Sequence, residues 1–251
     1  MSEHTESNNR KKQSVISEYV QALCIAIFAA LLLRIFVVQA FRIPTGSMKD
    51  TLLIGDFLLV NKFIYGVRTP DRIPGTTINI PYGRLPAFRS PRRGDVIVFK
   101  FPSNTSVDYI KRCVGLPGDT VLVRHNSVYV NGVSEGEERL LQKKYDPQEN
   151  ATFGYYQITT PDDRTYIIRK KITRPSALQN YGPVVVPPEH FFMMGDNRDN
   201  SSDSRFWGFL PSDYIVGRAL MIYFSFDAEK WQSRWRVFEA VRWQRLFNLI
   251  R

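Results

Sequence analysis

The chain has 251 residues and a formal net charge of +10 at pH 7, and 43% of its residues are hydrophobic. This length fits one large domain or two modest ones, and the apolar content excludes wholesale disorder. The positive charge suits either nucleic acid or an anionic membrane surface. The only two cysteines, Cys24 and Cys113, are far apart, and Cys24 lies in an apolar run. The sequence therefore excludes a disulfide-rich scaffold, and we expect Cys113 to be a small packed side chain.

The N-terminal region predicts a membrane anchor. Residues 1–17 are polar and include a basic triplet, and nearly every residue from Val20 to Ala40, within the anchor that we predict at residues 18–40, is apolar. A helix needs about 20 such residues to cross a bilayer, so we predict a cytoplasmic basic tail followed by a transmembrane helix. Arg34 lies near enough to the end of this span for its side chain to reach the interface. The alternatives are a buried core helix and a signal peptide cleaved after Ala40, although the run is longer than a signal peptide requires.

Short strands are predicted for most of the remaining chain. After residue 53 the apolar runs become short, rich in strand-forming residues and bounded by Gly and Pro. The C-terminal segment, residues 227–251, interleaves Trp, Phe and Arg. Two interpretations of this segment stay open. It contacts a membrane interface, where those residue types are favoured, or it packs on the β domain with a solvated basic face.

Ser47 is a candidate nucleophile because it follows Pro44 and Gly46, two residues that predict a turn. A solvated turn serine is the alternative. A Ser-His-Asp triad requires a histidine as the base. The histidines lie in no recognisable triad context, and they are His4, His125 and His190.

A lysine is the remaining candidate for the base. Strand alternation places Lys111 on one face with Tyr109 and Cys113. Such neighbours would desolvate the amine and lower its pKa, which favours the neutral form that accepts a proton. The alternative is a lysine that snorkels from an edge strand. The S-x-x-K spacing of other serine–lysine enzymes is absent, because Asp50 stands three residues after Ser47.

The polar run at residues 196–203 does not fit a metal site. As a calcium loop beginning at Asp196 it would place Trp207 where a bidentate glutamate belongs. We interpret the run as tight turns whose carboxylates cap backbone N–H groups and pair with Arg198 and Arg205. No spacing of His, Cys, Asp or Glu suits zinc, so we predict neither a metal nor a cofactor.

Three stretches follow the apolar span in a fixed order. They are P-T-G-S-M-K-D-T-L-L-I-G-D, then R-G-D-V-I-V-F-K-F-P with D-Y-I-K-R-C-V-G-L-P-G-D, and M-G-D-N-R-D-N-S-S-D-S-R-F-W-G. Together they closely resemble bacterial signal peptidase I, the membrane-bound serine–lysine endopeptidase that removes signal peptides from exported preproteins. The resemblance runs to about residue 226. It implies a mostly β fold with one N-terminal transmembrane helix, an antiparallel β-sheet catalytic core at residues 41–118 and 189–226, and a second β domain inserted at residues 119–188.

The resemblance also assigns roles to residues. It implies that Ser47 is the nucleophile and Lys111 the general base. It implies that the Ser47 backbone N–H and the Thr45 hydroxyl form the oxyanion hole. It also implies that Ser201 orients the lysine and that Asp203 and Arg205 form an ion pair that supports this turn. The residues that it implies as walls of the pockets for small substrate side chains are Phe41, Ile43, Met48, Leu52, Tyr109 and Ile110. Two positions depart from the common pattern, since Thr45 replaces a serine and Asp50 replaces a proline.

The function implied by the resemblance is cleavage of signal peptides after small residues at the bacterial cytoplasmic membrane. The catalytic domain would lie on the outer face and the N-terminus in the cytoplasm. Preprotein signal peptides and membrane lipid are the expected partners, and nucleic acid is not; the sequence does not determine the oligomeric state. A self-cleaving repressor with a related serine–lysine domain is disfavoured by the predicted anchor and by the lack of a helix-turn-helix pattern. A membrane-anchored, non-catalytic β-domain adaptor is the alternative.

Overall fold

Most of the regular elements in the described residues are short strands. The computed structural model describes residues 17–30, 38–66, 83, 86–173, 179–228 and 237–250. The helices are α1 at residues 17–30, α2 (Ser204–Trp207) and α3 (Val237–Ala240). The strands in chain order are β1 (Val38–Arg42), β2 (Asp56–Asn61), β3 (Val96–Phe101), β4 (Asn104–Gly115), β5 (Thr120–Arg124), β6 (Ser127–Val130), β7 (Val133–Ser134), β8 (Glu137–Asp146), β9 (Ala151–Thr159), β10 (Thr165–Lys171), β11 (Tyr181–Val185), β12 (His190–Met194), β13 (Leu210–Pro211), β14 (Ile215–Ser225) and β15 (Asn248–Leu249).

The largest sheet has eight strands in the order β1-β2-β14-β3-β4-β12-β13, with β15 paired to β14. All of its strand pairs are antiparallel, so the prediction of a mostly antiparallel β fold is confirmed. β2 alternates buried and half-buried residues, as expected for a strand with one face on the core. β3 pairs with β4 so that Ile97 lies opposite Lys111. This pairing carries Lys111 into the core of the molecule.

The strands of residues 119–188 form two smaller antiparallel sheets. One has the order β10-β9-β8 and the other the order β11-β5-β6-β7. The second sheet joins the main one through a buried cluster in which Val121 and Val123 pack with Phe192 of β12. The first sheet has its own small clusters around Phe153 and Ile158. The residues predicted to form an inserted β domain thus build sheets distinct from the main sheet.

The end of the predicted transmembrane helix is a strand. Val38–Arg42 forms β1, and Phe41 lies opposite Leu58 of β2. Extending the helix through residue 40 was therefore wrong, because apolar composition signals burial without distinguishing a helix from a strand. Residues 31–37 of the predicted anchor and residues 1–16 of the predicted tail lie outside the described residues. Within the described ranges, no helix combines the length and apolar character needed to cross a bilayer.

The described part of the C-terminal segment packs on the main sheet. Leu249 of β15 pairs with Met221 of β14, and Ala240 and Ile250 are buried. Phe238 and Trp243 remain exposed, so packing and an exposed aromatic surface coexist. Residues 229–236 and 251 lie outside the described residues.

An ion pair fastens this segment to the turn that follows the candidate nucleophile. Buried Asp56 accepts hydrogen bonds from the Ser225 hydroxyl at 2.6 Å and from the Leu53 amide at 2.8 Å. The Arg245 guanidinium lies 2.6 Å from its carboxylate. Arg245 also donates to the Thr51 carbonyl oxygen at 3.0 Å. The C-terminal segment therefore supports the loop between β1 and β2.

We expect Arg245→Ala to destabilise the protein by about 1–3 kcal/mol, because Asp56 stays buried and loses its cationic partner. Denaturant unfolding of the detergent-solubilised protein measures the change. Phe238→Ala is the control, since its 74% exposed side chain predicts a shift within about 0.5 kcal/mol. Equal stability of Arg245→Ala and the wild type would show that the segment is not fastened through this pair.

Candidate active site

The candidate nucleophile lies in a tight turn between β1 and β2. The Lys49 amide donates to the Gly46 carbonyl oxygen at 3.0 Å, and the Leu52 amide donates to the Met48 carbonyl oxygen at 2.7 Å. The side chains of Met48 and Leu52 are fully buried in the main core. These two buried side chains hold the turn against the core, and Ser47 is 9% exposed.

Asp50 gives this turn an unusual backbone. Its φ of 83° lies in the left-handed region, which few residues other than glycine adopt without strain. A proline, fixed near φ −65°, could not take this conformation. The replacement of the common proline by Asp50 is therefore a change of turn geometry as well as of charge.

Lys111 reaches the serine from β4. Its Nζ lies 2.6 Å from the Ser47 Oγ and donates to the Ile110 carbonyl oxygen at 3.1 Å. The ring centroid of Tyr109 lies 5.1 Å from Nζ. Lys111 is only 3% exposed. The amine therefore contacts a hydroxyl, a carbonyl and an aromatic face, and no carboxylate among the described residues forms an ion pair with it.

Burial lowers the pKa of Lys111 to about 8, against the opposing influence of Asp203 and Asp196. Desolvation disfavours the ammonium form, which explains the direction. Each of these carboxylates is already neutralised by a buried arginine. Arg112 binds Asp196 through two bonds of 2.8 and 2.7 Å. Arg205 binds Asp203 through two bonds of 2.9 Å. This pairing weakens their attraction for the Lys111 ammonium and preserves its low pKa.

A second serine–lysine contact in the chain shows how a neighbouring carboxylate affects the pKa of the lysine. The Lys170 Nζ lies 3.0 Å from the Ser127 Oγ, but also 2.7 and 2.6 Å from the two oxygens of Glu138. Burial lowers the pKa of Lys170, and the bond to Glu138 opposes that shift. The carboxylate of Glu138 stabilises the ammonium form of Lys170, whereas Lys111 has no such partner among the described residues.

The loop after β12 closes over the nucleophile turn. The Asn197 amide donates to the Ser47 carbonyl oxygen at 3.1 Å. A Cβ at Gly195 would lie 2.5 Å from that same oxygen and 2.3 Å from the Ser201 Oγ. Only glycine permits this approach. Our sequence analysis did not identify Gly195 as a site residue, although a glycine at the end of a strand pattern signals a close backbone approach.

Ser201 is buried, and its hydroxyl has no hydrogen-bond partner among the described residues. The support of Lys111 that the resemblance implies for Ser201 therefore includes no hydrogen bond among the described residues, and an orienting role stays a prediction. The predicted pair of Asp203 and Arg205 is present, and Asp203 also caps α2 by accepting from the Arg205 amide. The partner predicted for Arg198 within this run was wrong. Arg198 binds Glu135, 2.6 Å away, a residue that directly follows β7 and also accepts from the Tyr166 hydroxyl of β10.

A cleft of about 240 Å³ opens beside Ser47. Of the predicted residues, Thr45, Tyr109, Ile110 and Lys111 line it with Ser47. Val107, Asp108, Asn200 and Ser202 also line it, and the sequence analysis did not identify them. Ile43, Met48 and Leu52, which we predicted as pocket walls, are instead packed in the core cluster that contains Ile110, and Phe41 packs against that cluster.

The arrangement has the parts that a nucleophilic hydroxyl requires. A lysine that is partly neutral near pH 8 can take the proton of a serine at hydrogen-bond distance, which would free the serine oxygen to attack an electrophile in the cleft. Among the residues that the structure describes, no group of three or more His, Cys, Asp and Glu side chains is arranged to hold a metal ion.

Comparison with known proteins identifies the chain's family as one of peptidases. The family model described as signal peptidase, peptidase S26, matches residues 16–224. The signal peptidase I of Pseudomonas aeruginosa is 40% identical over 234 residues, which cover 87% of this chain and 76% of that protein. That of Pseudomonas fluorescens is 40% identical over 232 residues, with the same coverage of 87% and 76%. That of Rickettsia typhi is 35% identical over 237 residues, covering 92% of this chain and 87% of the relative.

We expect Lys111→Met to stabilise the protein at pH 7 by up to about 3 kcal/mol, because an apolar side chain of similar length carries no buried charge. The lowered pKa means that the unfolded chain holds more protons than the folded protein between pH 8 and 10.5. Wild-type stability therefore rises with pH in this window, and the advantage of the variant shrinks. Denaturant unfolding at pH 7 and pH 9.5 measures both effects. A variant less stable than the wild type at pH 7 would contradict the buried-charge account.

Proposed function

The chain belongs to the signal peptidase family, peptidase S26, and from this premise we propose that it is a membrane-bound endopeptidase that removes signal peptides from exported preproteins. Ser47 is the nucleophile and Lys111 the general base in this proposal. The contact of 2.6 Å between Nζ and Oγ carries the assignment. Comparison with Lys170 supports the assignment. Lys170 also contacts a serine, Ser127, but it forms an ion pair with Glu138 that stabilises its ammonium form.

Acylation begins when neutral Lys111 takes the hydroxyl proton of Ser47. The Oγ then bonds to the carbonyl carbon of the residue before the cleavage site, and the carbonyl π electrons move to its oxygen. We assign the oxyanion hole to the Ser47 amide and the Thr45 hydroxyl, since both residues line the cleft. Each such donor is worth roughly 3–4 kcal/mol of transition-state stabilisation in other serine peptidases.

Collapse of the tetrahedral intermediate breaks the C–N bond. The Lys111 ammonium gives its proton to the departing amine, so the mature protein leaves with a free N-terminus. Water then attacks the ester carbon while Lys111, neutral again, takes a proton from it. The ester C–O bond breaks, Ser47 recovers its proton from Lys111, and the signal peptide leaves as a carboxylate. One group thus serves as base and acid in both halves of the reaction.

The cleft suits small side chains at the cleavage site. Its volume of about 240 Å³ is shared between the substrate backbone and the side chains that enter it. Met48 and Leu52 pack in one buried cluster with Ile110, so the wall of the cleft at Ile110 is backed by tightly packed side chains. We therefore infer that small residues are accepted because larger ones would overlap this wall.

The membrane is where we place the enzyme. β1 includes the last three residues of the predicted apolar span, and Ser47 lies five residues after the last residue of β1. Signal peptides also hold an apolar helix at the bilayer, so an anchor of this kind would bring the cleavage site and Ser47 together. The exposed aromatic residues Phe238, Trp243 and Phe247 suit the lipid interface. We propose a single span, a cytoplasmic N-terminus and a catalytic domain on the outer face.

The test is cleavage of a preprotein in detergent, with N-terminal sequencing of the product. We expect Ser47→Ala to lose at least about 10³-fold in rate, because the attacking oxygen is absent. Ser127→Ala is the matched control, since it removes the hydroxyl from the other serine–lysine pair, and it should retain wild-type activity.

The same experiment separates the enzyme from a non-catalytic adaptor. The enzyme yields a product that begins after a small residue, and only Ser47→Ala abolishes that product. Equal cleavage by Ser47→Ala and the wild type would exclude Ser47 as the nucleophile. Absence of product from the wild type, together with lipid binding that both variants retain, would favour the adaptor.

A further inference from the structure

We propose that the strands inserted at residues 119–188 supply positioning residues for the nucleophile, namely Arg169 of β10 and Glu149 of the turn between β8 and β9. This inference rests on the proposed function, because it concerns how Ser47 is held for its reaction. Neither residue lines the cleft, so neither contacts substrate there. They act through the turn at residues 46–50 and the loop at residues 196–200.

The backbone of Arg169 extends the inserted sheet onto the loop beside Ser47. Its amide donates to the Asp196 carbonyl oxygen at 2.9 Å, and its carbonyl oxygen accepts from the Arg198 amide at 3.0 Å. These bonds form a parallel bridge to Asn197. The backbone N–H of Asn197 in turn donates to the Ser47 carbonyl oxygen. Two consecutive backbone contacts thus join β10 to the nucleophile.

The Arg169 side chain is fixed from several directions. It is 0% exposed, and its carbon Cζ lies 4.2 Å from the ring centroid of Phe153. Nη1 donates to Asp146 at 2.9 Å, and Nη2 donates to Glu149. A buried guanidinium with two carboxylate partners has little freedom to move. It is therefore a rigid cation at the back of the nucleophile turn.

Two residues of the nucleophile turn bind this cation and its partners. The Lys49 Nζ lies 2.5 Å from the same Asp146 oxygen that Arg169 binds. An Asp50 carboxylate oxygen lies 3.9 Å from the Arg169 Nε. Neither that oxygen nor that nitrogen has a hydrogen-bond partner among the described residues, so their attraction is direct charge pairing. It opposes the strain of the left-handed Asp50 backbone.

Glu149 connects the same network to the wall of the cleft. One carboxylate oxygen accepts from Asn200 at 2.9 Å, and Asn200 lines the cleft. The other lies 3.5 Å from the Asn197 side-chain nitrogen, which also donates to the Gly46 carbonyl oxygen at 3.1 Å. Glu149 therefore holds both sides of the cleft at once. A displacement of about 1 Å at a reacting group costs on the order of 10²-fold in rate, so this support bears on catalysis.

The chain offers a matched pair of variants for the test. Glu149→Gln and Glu138→Gln each remove one carboxylate partner from a buried cation of β10, Arg169 and Lys170 respectively. Only Glu149 reaches the loop beside Ser47. Both changes should lower the midpoint of thermal unfolding. Glu149→Gln should in addition lower kcat at least about 10-fold with KM nearly unchanged, whereas Glu138→Gln should keep kcat within twofold.

Cleavage of a fluorogenic signal-sequence peptide by the full-length protein, normalised to the folded fraction, gives both constants. Arg169→Lys is the second variant, since it keeps the charge and loses the two-pronged guanidinium, and it should also lower kcat at constant KM. Equal falls in kcat for Glu149→Gln and Glu138→Gln would overturn the proposal, as would wild-type kcat in both Glu149→Gln and Arg169→Lys. An inactive wild type would mark failure of the proposed function and would remove the basis of this inference with it.

Discussion

The desolvation of one amine is the constraint on which the site depends. Lys111 is buried against Ser47, Tyr109 and a backbone carbonyl, and this environment lowers its pKa to about 8. A buried lysine costs stability as an ammonium ion, so the fold must be stable enough to bear it. In the mechanism that we propose, the same burial supplies a base beside a serine without a histidine. The cost in stability and the catalytic capacity thus have the same physical origin.

The rest of the core keeps negative charge away from that amine. Asp196 and Asp203 lie near enough to raise the pKa of Lys111, yet each is bound in two-bond geometry by its own buried arginine, Arg112 or Arg205. Breaking either pair would leave a buried carboxylate without a partner, which would favour the ammonium form of Lys111 and lose the base. The buried ion pairs around the site therefore have an electrostatic role beyond holding the loops together.

The sequence predicted the class of fold, but not the contacts that depend on tertiary packing. Its proposed nucleophile and base, Ser47 and Lys111, lie 2.6 Å apart. Strand alternation made Lys111 a candidate beside Tyr109 and the turn made Ser47 a candidate, and the family resemblance then gave both residues their roles. The apolar run through Ala40 did not reveal that Val38–Arg42 would pair with β2, since apolar composition alone cannot distinguish a strand from a helix. Glu135 as the partner of Arg198, and Arg169 behind the nucleophile turn, join residues more than 60 positions apart in sequence. No local pattern encodes such pairs. Gly195 was identifiable in principle, because a glycine at the end of a strand pattern signals a close backbone approach. The structure shows such an approach, which leaves no room for a side chain.

The most direct test of this account is the pKa of Lys111 itself, measured by NMR on protein labelled with ¹³C at the lysine Cε and ¹⁵N at the Nζ. Lys111→Met and Lys170→Arg would assign the two signals. The account predicts that Lys111 titrates with a midpoint of about 8 and that Lys170, paired with Glu138, titrates at higher pH. A Lys111 midpoint near the ordinary value of 10.5 would contradict the account, because the amine would then be an ammonium ion wherever Ser47 needs a base.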